Sequence, residues 1–516
     1  MRNKDARRAG GWFVIGSVAA CVMAVCPGGQ AQAVSADESS KAAGVATALL
    51  SPDDTGLRED LAWLIDRRVL SLPLSTWPLP AALLAPALAA AGERSWPAVD
   101  ADALGRVERA LARQTAPVSA GLDVNSARHP ALDGNPAAAG AADATLSVRT
   151  HGERWSARLQ MNVHAHSLSS SGQQGSLSGS YVAVALRSTL LSFGAVDRWW
   201  GPGRYTSPIL SNAARPFPAL TLRRARDDAP QPNWLRWIGP WGYEFSVGQL
   251  RHYEPARTRT LGLRLYTRPL PGLEVGLSRH IEWGGRGLPD GLQALRDALL
   301  GNSNIDDPER REREDPSNEL AGFDLRLSHV DSGDRAWVGH VQLIGEDEAN
   351  KLPSRFITTA GLQLKHPWRS GRLEWSVEGT DTVRRRLLGL LDGGRRQAAY
   401  THGAYTDGYY HQGLPIGAHF GGGGRIFTGG LSWVPDCRQT CRRYRMTAFT
   451  GKVSERELQP INASFGETGD VHGLSARMES QARGFDWYLG LSVQRYRAGP
   501  RPDAGLQFGI ELPLQR

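Results

Sequence analysis

Apolar and polar residues alternate along most of the chain from about residue 145 to residue 516. In residues 372–380, Leu373, Trp375 and Val377 fall on one face of a strand, while charged or small polar residues occupy the other face. The same period of two recurs along the region, and a turn signal follows each stretch, as in residues 261–265, 273–277, 323–343, 485–494 and 505–514. The pattern predicts a series of antiparallel strands.

The pattern changes before residue 116. Residues 57–70 place leucines three and four positions apart on one stripe, and residues 99–114 repeat that period. These stretches predict a small helical region over residues 40–115. Residues 116–144, which include an Ala-, Gly- and Pro-rich segment, are predicted to be a linker.

Either a soluble sandwich or propeller, or a membrane β-barrel, would produce this alternation. At about 20 residues for a strand with its connection, residues 145–516 provide roughly 16–20 strands, the size of a porin. No internal repeat of fixed period is visible, which weakens the propeller interpretation. Charges of both signs occupy the polar faces of consecutive strands and would meet as cross-strand pairs inside a lumen. They are Arg264, Glu274, Asp324, Arg326, Arg372 and Glu374. We therefore predict a mainly β protein, a large antiparallel transmembrane β-barrel over residues 145–516 with extracellular loops.

The first 33 residues have the features of a signal peptide. Four basic residues precede the apolar stretch 11–25, and Ala31-Gln32-Ala33 provides a cleavage pattern. Lipoprotein processing at Cys21 is the alternative. Removing this leader lowers the formal net charge from +8 to +5, which does not indicate a nucleic-acid partner. A mean hydropathy of −0.36 argues against a helical membrane protein.

Cleavage after Ala33 would leave Cys437 and Cys441 as the remaining cysteines. In an oxidising compartment they could close a small disulfide loop. A metal site at this position would need two further ligands, which the sequence does not identify. We expect neither a metal nor a cofactor.

Two stretches have an unusual residue density. Residues 197–218 contain Trp199-Trp200-Gly201-Pro202-Gly203 and, later, Arg215-Pro216-Phe217-Pro218. Residues 404–425 combine tyrosines and histidines with glycines. Together with residues 57–80 and 318–324, they resemble the family of the outer-membrane capsule assembly protein Wzi, in the order of that family.

The resemblance implies an outer-membrane barrel of about eighteen strands in a Gram-negative bacterium, with a small helical bundle on the periplasmic side. It also implies a lectin-like, non-catalytic role in holding capsular or extracellular polysaccharide at the cell surface. The implied partners are that polysaccharide, outer-membrane lipid and the polysaccharide export machinery.

Saccharide binding requires flat apolar faces and fixed hydrogen-bonding groups, and acidic polymers favour arginine. The second stretch offers such groups, and we predict polysaccharide binding by Tyr405, Asp407, Tyr409, Tyr410, His411 and Arg425. The alternative is that these side chains pack a loop or lie at the lipid interface.

The first stretch is predicted to fix a loop that folds into the barrel, rather than to bind substrate. Its structural residues are Asp197, Arg198, Trp199, Trp200, Asn212, Arg215 and Phe217. Arg215 is equally compatible with a buried hydrogen-bonding role and with a sugar contact.

No motif for nucleophilic catalysis, metalloprotease chemistry or phosphate binding is present, and the glycines at 421–424 indicate a flexible hinge or loop tip. We therefore expect no enzymatic activity. Two alternatives remain: a porin-like channel or export conduit, and a membrane-embedded glycan-modifying enzyme, for which acidic residues such as Glu346 and Glu348 would be candidates.

Overall fold

The structure is a computed structural model. It describes residues 47–136, 140–167, 172–299, 317–349, 352–385, 397–437, 440–453, 469–482, 484–497 and 501–514. The predicted leader and the first residues of the predicted helical region lie outside these ranges. Among the described residues, no helix combines the length and the apolar character needed to cross a membrane.

Eighteen long antiparallel strands form a closed barrel. They are β1 (Val118–Asn125), β2 (Ala142–His151), β3 (Trp155–Ala165), β4 (Tyr181–Leu186), β5 (Thr189–Gly194), β6 (Ala219–Arg224), β7 (Trp241–Gln249), β8 (Arg259–Leu270), β9 (Leu273–Trp283), β10 (Ser317–Val330), β11 (Ala336–Ala349), β12 (Leu352–Trp368), β13 (Gly371–Arg385), β14 (Arg425–Pro435), β15 (Cys441–Val453), β16 (Gly469–Gln481), β17 (Asp486–Tyr496) and β18 (Asp503–Leu514). The short strands Gly175–Ser176 and Gln397–Ala398 pair with its rim.

The barrel closes where β18 pairs with β1, from Gln507 opposite Asn125 to Leu514 opposite Val118. The predicted linker over residues 116–144 is therefore wrong, because most of its first half is a barrel strand. Residue 145 is also not the beginning of the barrel. Residues 118–125 do alternate, with Val118, Ala120, Leu122 and Val124 on one face of the strand. The run is short and precedes an Ala-, Gly- and Pro-rich segment, which favoured the linker interpretation.

Within the part of the chain that the structure describes, four α-helices accompany the barrel: α1 (Thr55–Asp66), α2 (Ala81–Gly92), α3 (Ala98–Gln114) and α4 (Leu292–Leu299). A short 3-10 helix, Asn233–Ile238, lies between β6 and β7. Helix α1 begins at Asp54, whose side chain accepts a hydrogen bond from the Leu57 backbone N–H at 2.8 Å. Its buried face packs against α2 and α3 around Trp63, Leu64 and Val107.

The two faces of the barrel wall differ as the alternation predicts. Leu265 and Leu277 lie opposite each other on β8 and β9, and both are more than half exposed on the outer face. Arg264 and Ser278, one position away, are buried inside the lumen. An apolar outer face with a polar interior is typical of a barrel that lies in lipid.

The two ends of the barrel also differ. One end has mostly short connections, such as residues 271–272 and 369–370, and we call it the turn end. The other carries the long connections, such as residues 195–218 and 386–424, and we call it the loop end. Helices α1 to α3 meet the turn end, where Arg67, the residue that follows α1, pairs with Asp334 of the β10–β11 turn.

Candidate functional site

Two insertions fill the lumen from opposite ends. Residues 47–117, the N-terminal plug, enter from the turn end. Residues 195–218 and 397–424, the loop plug, fold inward from the loop end. The two insertions meet as a short antiparallel strand pair in which Trp77 lies opposite Trp199 and Thr76 opposite Trp200.

The loop plug is fixed to the wall at the turn after its two tryptophans. The Glu378 carboxylate on β13 accepts hydrogen bonds from three consecutive backbone N–H groups, those of Arg204, Tyr205 and Thr206, at 2.6, 3.2 and 3.1 Å. Gly201 has a φ of 145°, and a Cβ there would lie 2.2 Å from the Gln342 side chain. Glycine is favoured because L residues with a side chain rarely adopt this positive φ, and a side chain would also displace the Gln342 amide.

The other residues of the first motif lie around this loop. Arg198 donates to Thr221 Oγ1 at 2.9 Å, Asn212 donates to Asp53 Oδ1 at 2.7 Å, and Arg215 donates to Ser167 Oγ at 2.8 Å. The Phe217 ring meets the His411 ring edge to face at 5.7 Å.

Asp197 lies in the same loop, just before the two tryptophans. Burial, together with the neighbouring Asp53 carboxylate, raises the pKa of Asp197 well above its ordinary value.

The tyrosines of the second motif lie inside the protein and not on its surface. Tyr405 and Tyr409 have no exposed area, and Tyr410 and His411 are 4% and 1% exposed. Tyr409 donates its hydroxyl to the Ile209 carbonyl at 2.7 Å, and the Tyr410 hydroxyl accepts from the Gly422 N–H at 3.0 Å.

The prediction that these four side chains contact the polysaccharide directly is contradicted by their burial, because a ligand at the surface cannot reach them. Their tyrosine and histidine rings instead pack the loop plug. The alternative stated from the sequence, a packed loop, describes their position.

Asp407 and Arg425, the two other predicted binding residues, remain accessible. Asp407 Oδ2 accepts from the Glu254 backbone N–H at 2.8 Å, which joins two loops at the loop end. The Arg425 side chain is 39% exposed and pairs with Asp381 at 3.0 Å.

The glycines at 421–424 are not an exposed loop tip. The four residues are buried, and a Cβ on Gly422 would lie 1.9 Å from the Ala399 carbonyl. Gly424 donates its backbone N–H to Thr382 Oγ1 at 2.9 Å. Close packing against the wall therefore explains this run, and the predicted hinge is wrong.

Three carboxylates of α1 anchor the N-terminal plug to the wall, and the sequence reasoning missed their role. Asp66 is fully buried between Arg326 and Lys365, with contacts of 2.7 and 2.8 Å. The two other carboxylates, Glu59 and Asp60, contact Arg443, and Asp60 also pairs with Arg372 at 2.6 Å.

Alternation identified Arg264, Arg326 and Arg372 as lumenal, but their partners were predicted only in part. Arg264 does pair with Asp324 across the wall. Arg326 binds the plug instead, and Arg372 binds both Glu374 of its own strand and Asp60 of the plug. A sequence pattern cannot show which helix enters the lumen.

Burial opposes ionisation of the α1 carboxylates, but the surrounding cations outweigh it. Arg445, Arg204 and Arg443 lower the pKa of Glu59 well below its ordinary value despite the effect of burial. Arg106, Arg443 and Arg372 likewise lower the pKa of Asp60. The plug is therefore held by ionised carboxylates over the neutral range.

A disulfide joins Cys437 and Cys441 in the β14–β15 turn, as the spacing allowed. The Cys437 backbone N–H donates to Asp102 Oδ2 of α3 at 2.9 Å. The turn therefore contacts the N-terminal plug at the turn end.

The outer surface of the loop end is rich in arginine. Among the described residues, exposed basic side chains from separate loops outnumber the exposed acidic ones, Glu254 and Asp290. The exposed basic residues are Arg128, Arg251, Arg257, Arg286, Arg296, Lys452, Arg497 and Arg501. We call this surface the loop face. Its charge suits an anionic ligand.

Comparison with known proteins agrees with this architecture. The family whose description is capsule assembly protein Wzi matches residues 134–499, more than two thirds of the chain. The chain belongs to the Wzi family. An uncharacterised 55.8 kDa protein from the cps region of Klebsiella pneumoniae is 32% identical over 481 residues, which cover 90% of this chain and 89% of that protein.

A solved structure of a Wzi family member is also similar. It is that of Wzi from Escherichia coli, an outer-membrane protein involved in group 1 capsule assembly and described as a carbohydrate-binding β-barrel. The TM-score is 0.77 at 30% identity, over 91% of this chain and all of that chain. The predicted resemblance and the predicted eighteen-stranded barrel are confirmed, and the chain is an outer-membrane barrel of the Wzi family.

Proposed function

We propose that this protein binds capsular or related extracellular polysaccharide at the outer-membrane surface through its loop face, without catalysing a reaction. The observation that carries the proposal is the arginine-rich loop face above an ordered loop plug, in a family whose solved member is a carbohydrate-binding barrel. Arginine forms paired hydrogen bonds to carboxylates and phosphates, so an acidic polymer is the favoured ligand.

The orientation of the barrel supports the same assignment. Outer-membrane barrels have short periplasmic turns and longer extracellular loops. We therefore assign the loop end to the cell exterior and α1 to α3 to the periplasmic side, where the export machinery is the expected partner. The porin-like channel or export conduit, the alternative left open by the sequence, has less support. Both plugs occupy the lumen, and they meet at Trp77 and Trp199.

The test is retention of polymer by cells. In a strain that lacks the native gene, a variant with Arg251→Ala, Arg257→Ala and Arg286→Ala should shed several-fold more polysaccharide into the medium than the wild type. These three residues are exposed and lie in two different loops. Total polysaccharide should not change, because the proposed role is retention and not synthesis.

A matched variant replaces three exposed arginines at the turn end with alanine. They are Arg94, Arg236 and Arg335. It should retain polymer as the wild type does. Equal retention by the two variants, with both present in the outer membrane in equal amounts, would contradict the proposal.

A further inference from the structure

A large cavity lies between the plugs and one side of the barrel. Its volume is about 520 Å³, within the range of about 300–1,000 Å³ found for small-molecule sites. Arg215, Pro216 and Leu414 line it toward the loop end, and Arg149 and Glu511 line it toward the turn end. The cavity therefore follows the wall formed by β1, β2, β3, β17 and β18, which we call the polar wall.

The polar wall presents small neutral hydrogen-bonding groups to the cavity. Thr145 Oγ1 lies 3.0 Å from Asn162 Oδ1, and Ser147 Oγ lies 3.2 Å from Gln160 Oε1. Hydroxyl and amide groups of this kind can both donate and accept hydrogen bonds, as sugar hydroxyls also do. Two aromatic residues, Trp487 and Tyr488, also line the space, and the Tyr488 hydroxyl donates to Asp123 at 2.6 Å.

Several polar atoms of the lining residues have no partner within the described protein. They include Arg215 Nη1, Arg149 Nε and Gln481 Oε1. Arg215 as a residue is only 8% exposed. These atoms are buried behind the lining, so they add to the polar character of its surroundings but do not themselves reach the open space.

We propose that this cavity is a second saccharide site, which holds one or two sugar rings inside the lumen, separate from the loop face. The inference rests on the proposed function and extends it to a second position. The lining presents both hydrogen-bond donors and acceptors, and the cavity volume exceeds that needed for a few ordered waters. The lining also carries charged side chains of both signs, such as Arg149, Arg215 and Glu511, which can form charged hydrogen bonds to sugar hydroxyls.

The test uses a variant that fills the cavity. A Cβ on Gly121 of β1 would meet only the Ile510 carbonyl at 3.7 Å and the Thr145 Cβ at 3.8 Å. Gly121→Leu should therefore fold and project into the space. The matched control is Gly429→Leu on β14, where a Cβ would meet only the Ser376 carbonyl at 3.9 Å and which lines a shallow groove with Leu362 and Val377 on the lipid face.

The probe is the oligosaccharide repeat unit released by mild acid from the surface polysaccharide of the source strain, titrated calorimetrically into the purified, detergent-solubilised protein. Gly121→Leu should weaken binding at least tenfold, while Gly429→Leu should bind as the wild type does. Thr145→Leu provides a second filling variant if Gly121→Leu fails to fold. Gly121→Leu is also combined with the loop-face triple variant, so that binding in the cavity is measured without the loop-face site. The tenfold weakening should be seen in that background as well.

Two results would overturn the inference: no binding of the repeat unit by the wild type, or equal binding by the wild type and both folded filling variants. Either would mean that the cavity holds solvent only. Polymer retention by cells is a separate readout, so the loop-face proposal can survive this failure. Conversely, the loop-face variant could retain polymer normally while Gly121→Leu binds the repeat unit tenfold more weakly. That result would contradict the proposed role of the loop face and support the saccharide site in the cavity.

Discussion

Two sides of the same barrel differ in how their inward-facing side chains contact the N-terminal plug. Strands β8–β15, which we call the charged wall, direct long ionised side chains inward, and these bind α1 through Asp66, Asp60 and Glu59. The polar wall instead directs small residues such as Ser119, Gly121 and Ser147 inward and leaves a cavity. Both walls show the same period of two, so the period alone determines which residues face inward but not what they do there.

The comparison indicates that anchoring and binding are separated within one lumen. Buried ion pairs require both partners, because removal of one leaves an uncompensated charge. The charged wall therefore has a fixed geometry. The polar wall pairs with the plug near the turn end, where Asp486 and Glu511 contact Arg113 of α3. Away from these pairs, a ligand can replace water without breaking an ion pair to the plug.

The largest expected effect comes from breaking the charged wall. Asp66→Asn removes the charge that faces Arg326 and Lys365, both buried, and should lower the free energy of unfolding by roughly 3–5 kcal/mol. Chemical denaturation in detergent micelles measures this loss. The control is Asp334→Asn, since the Asp334 side chain is 56% exposed and should contribute less than about 1 kcal/mol. Equal losses would show that the charged wall does not anchor the plug.

In the loop plug, the expected loss of stability depends on which part of Tyr409 is removed. Tyr409→Ala removes a fully buried ring and should cost roughly 3–5 kcal/mol, so any loss of polymer retention would follow from a disordered loop. Tyr409→Phe removes only the hydrogen bond to the Ile209 carbonyl and should cost about 1 kcal/mol with retention unchanged. If the Tyr409→Phe protein is stable but sheds polymer, the hypothesis that Tyr409 contacts the polysaccharide directly would be supported again.

The stability that the ion pairs of the charged wall give to the N-terminal plug should change little with pH near neutrality. Because the pKa values of Glu59 and Asp60 lie below their ordinary values, their stabilisation is complete above the unfolded-state pKa of about 4. It is lost only as the pH falls through the lower folded-state values. Protease release of residues 47–117 should therefore stay constant from about pH 7 to about pH 5, and release within that range would contradict the assignment.

Much of this fold could be predicted from the sequence, for a physical reason. A barrel in lipid needs apolar residues on its outer face and polar residues on its inner face. The neighbouring residues Leu265, which faces outward, and Arg264, which faces inward, show this alternation in the sequence. The WWGPG motif was likewise recognisable, because Gly201 has a positive φ that favours glycine.

The site was predicted less well because it depends on long-range contacts. A tyrosine that stacks on a sugar and a tyrosine that packs a loop plug have the same local sequence, so Tyr405, Tyr409 and Tyr410 could not be assigned correctly. The roles of Asp66 and Glu378 depend on partners 299 and about 170 residues away in the chain. No local pattern contains that information.

The most direct measurement compares solvent access to the two walls. Thr145→Cys on the polar wall and Ser278→Cys on the charged wall each place one thiol in the lumen, since Cys437 and Cys441 are bonded to each other. In outer-membrane preparations treated with a small, charged, thiol-reactive methanethiosulfonate, the cysteine at residue 145 should react at least tenfold faster than the cysteine at residue 278. Equal rates would contradict the account of one anchored wall and one open wall.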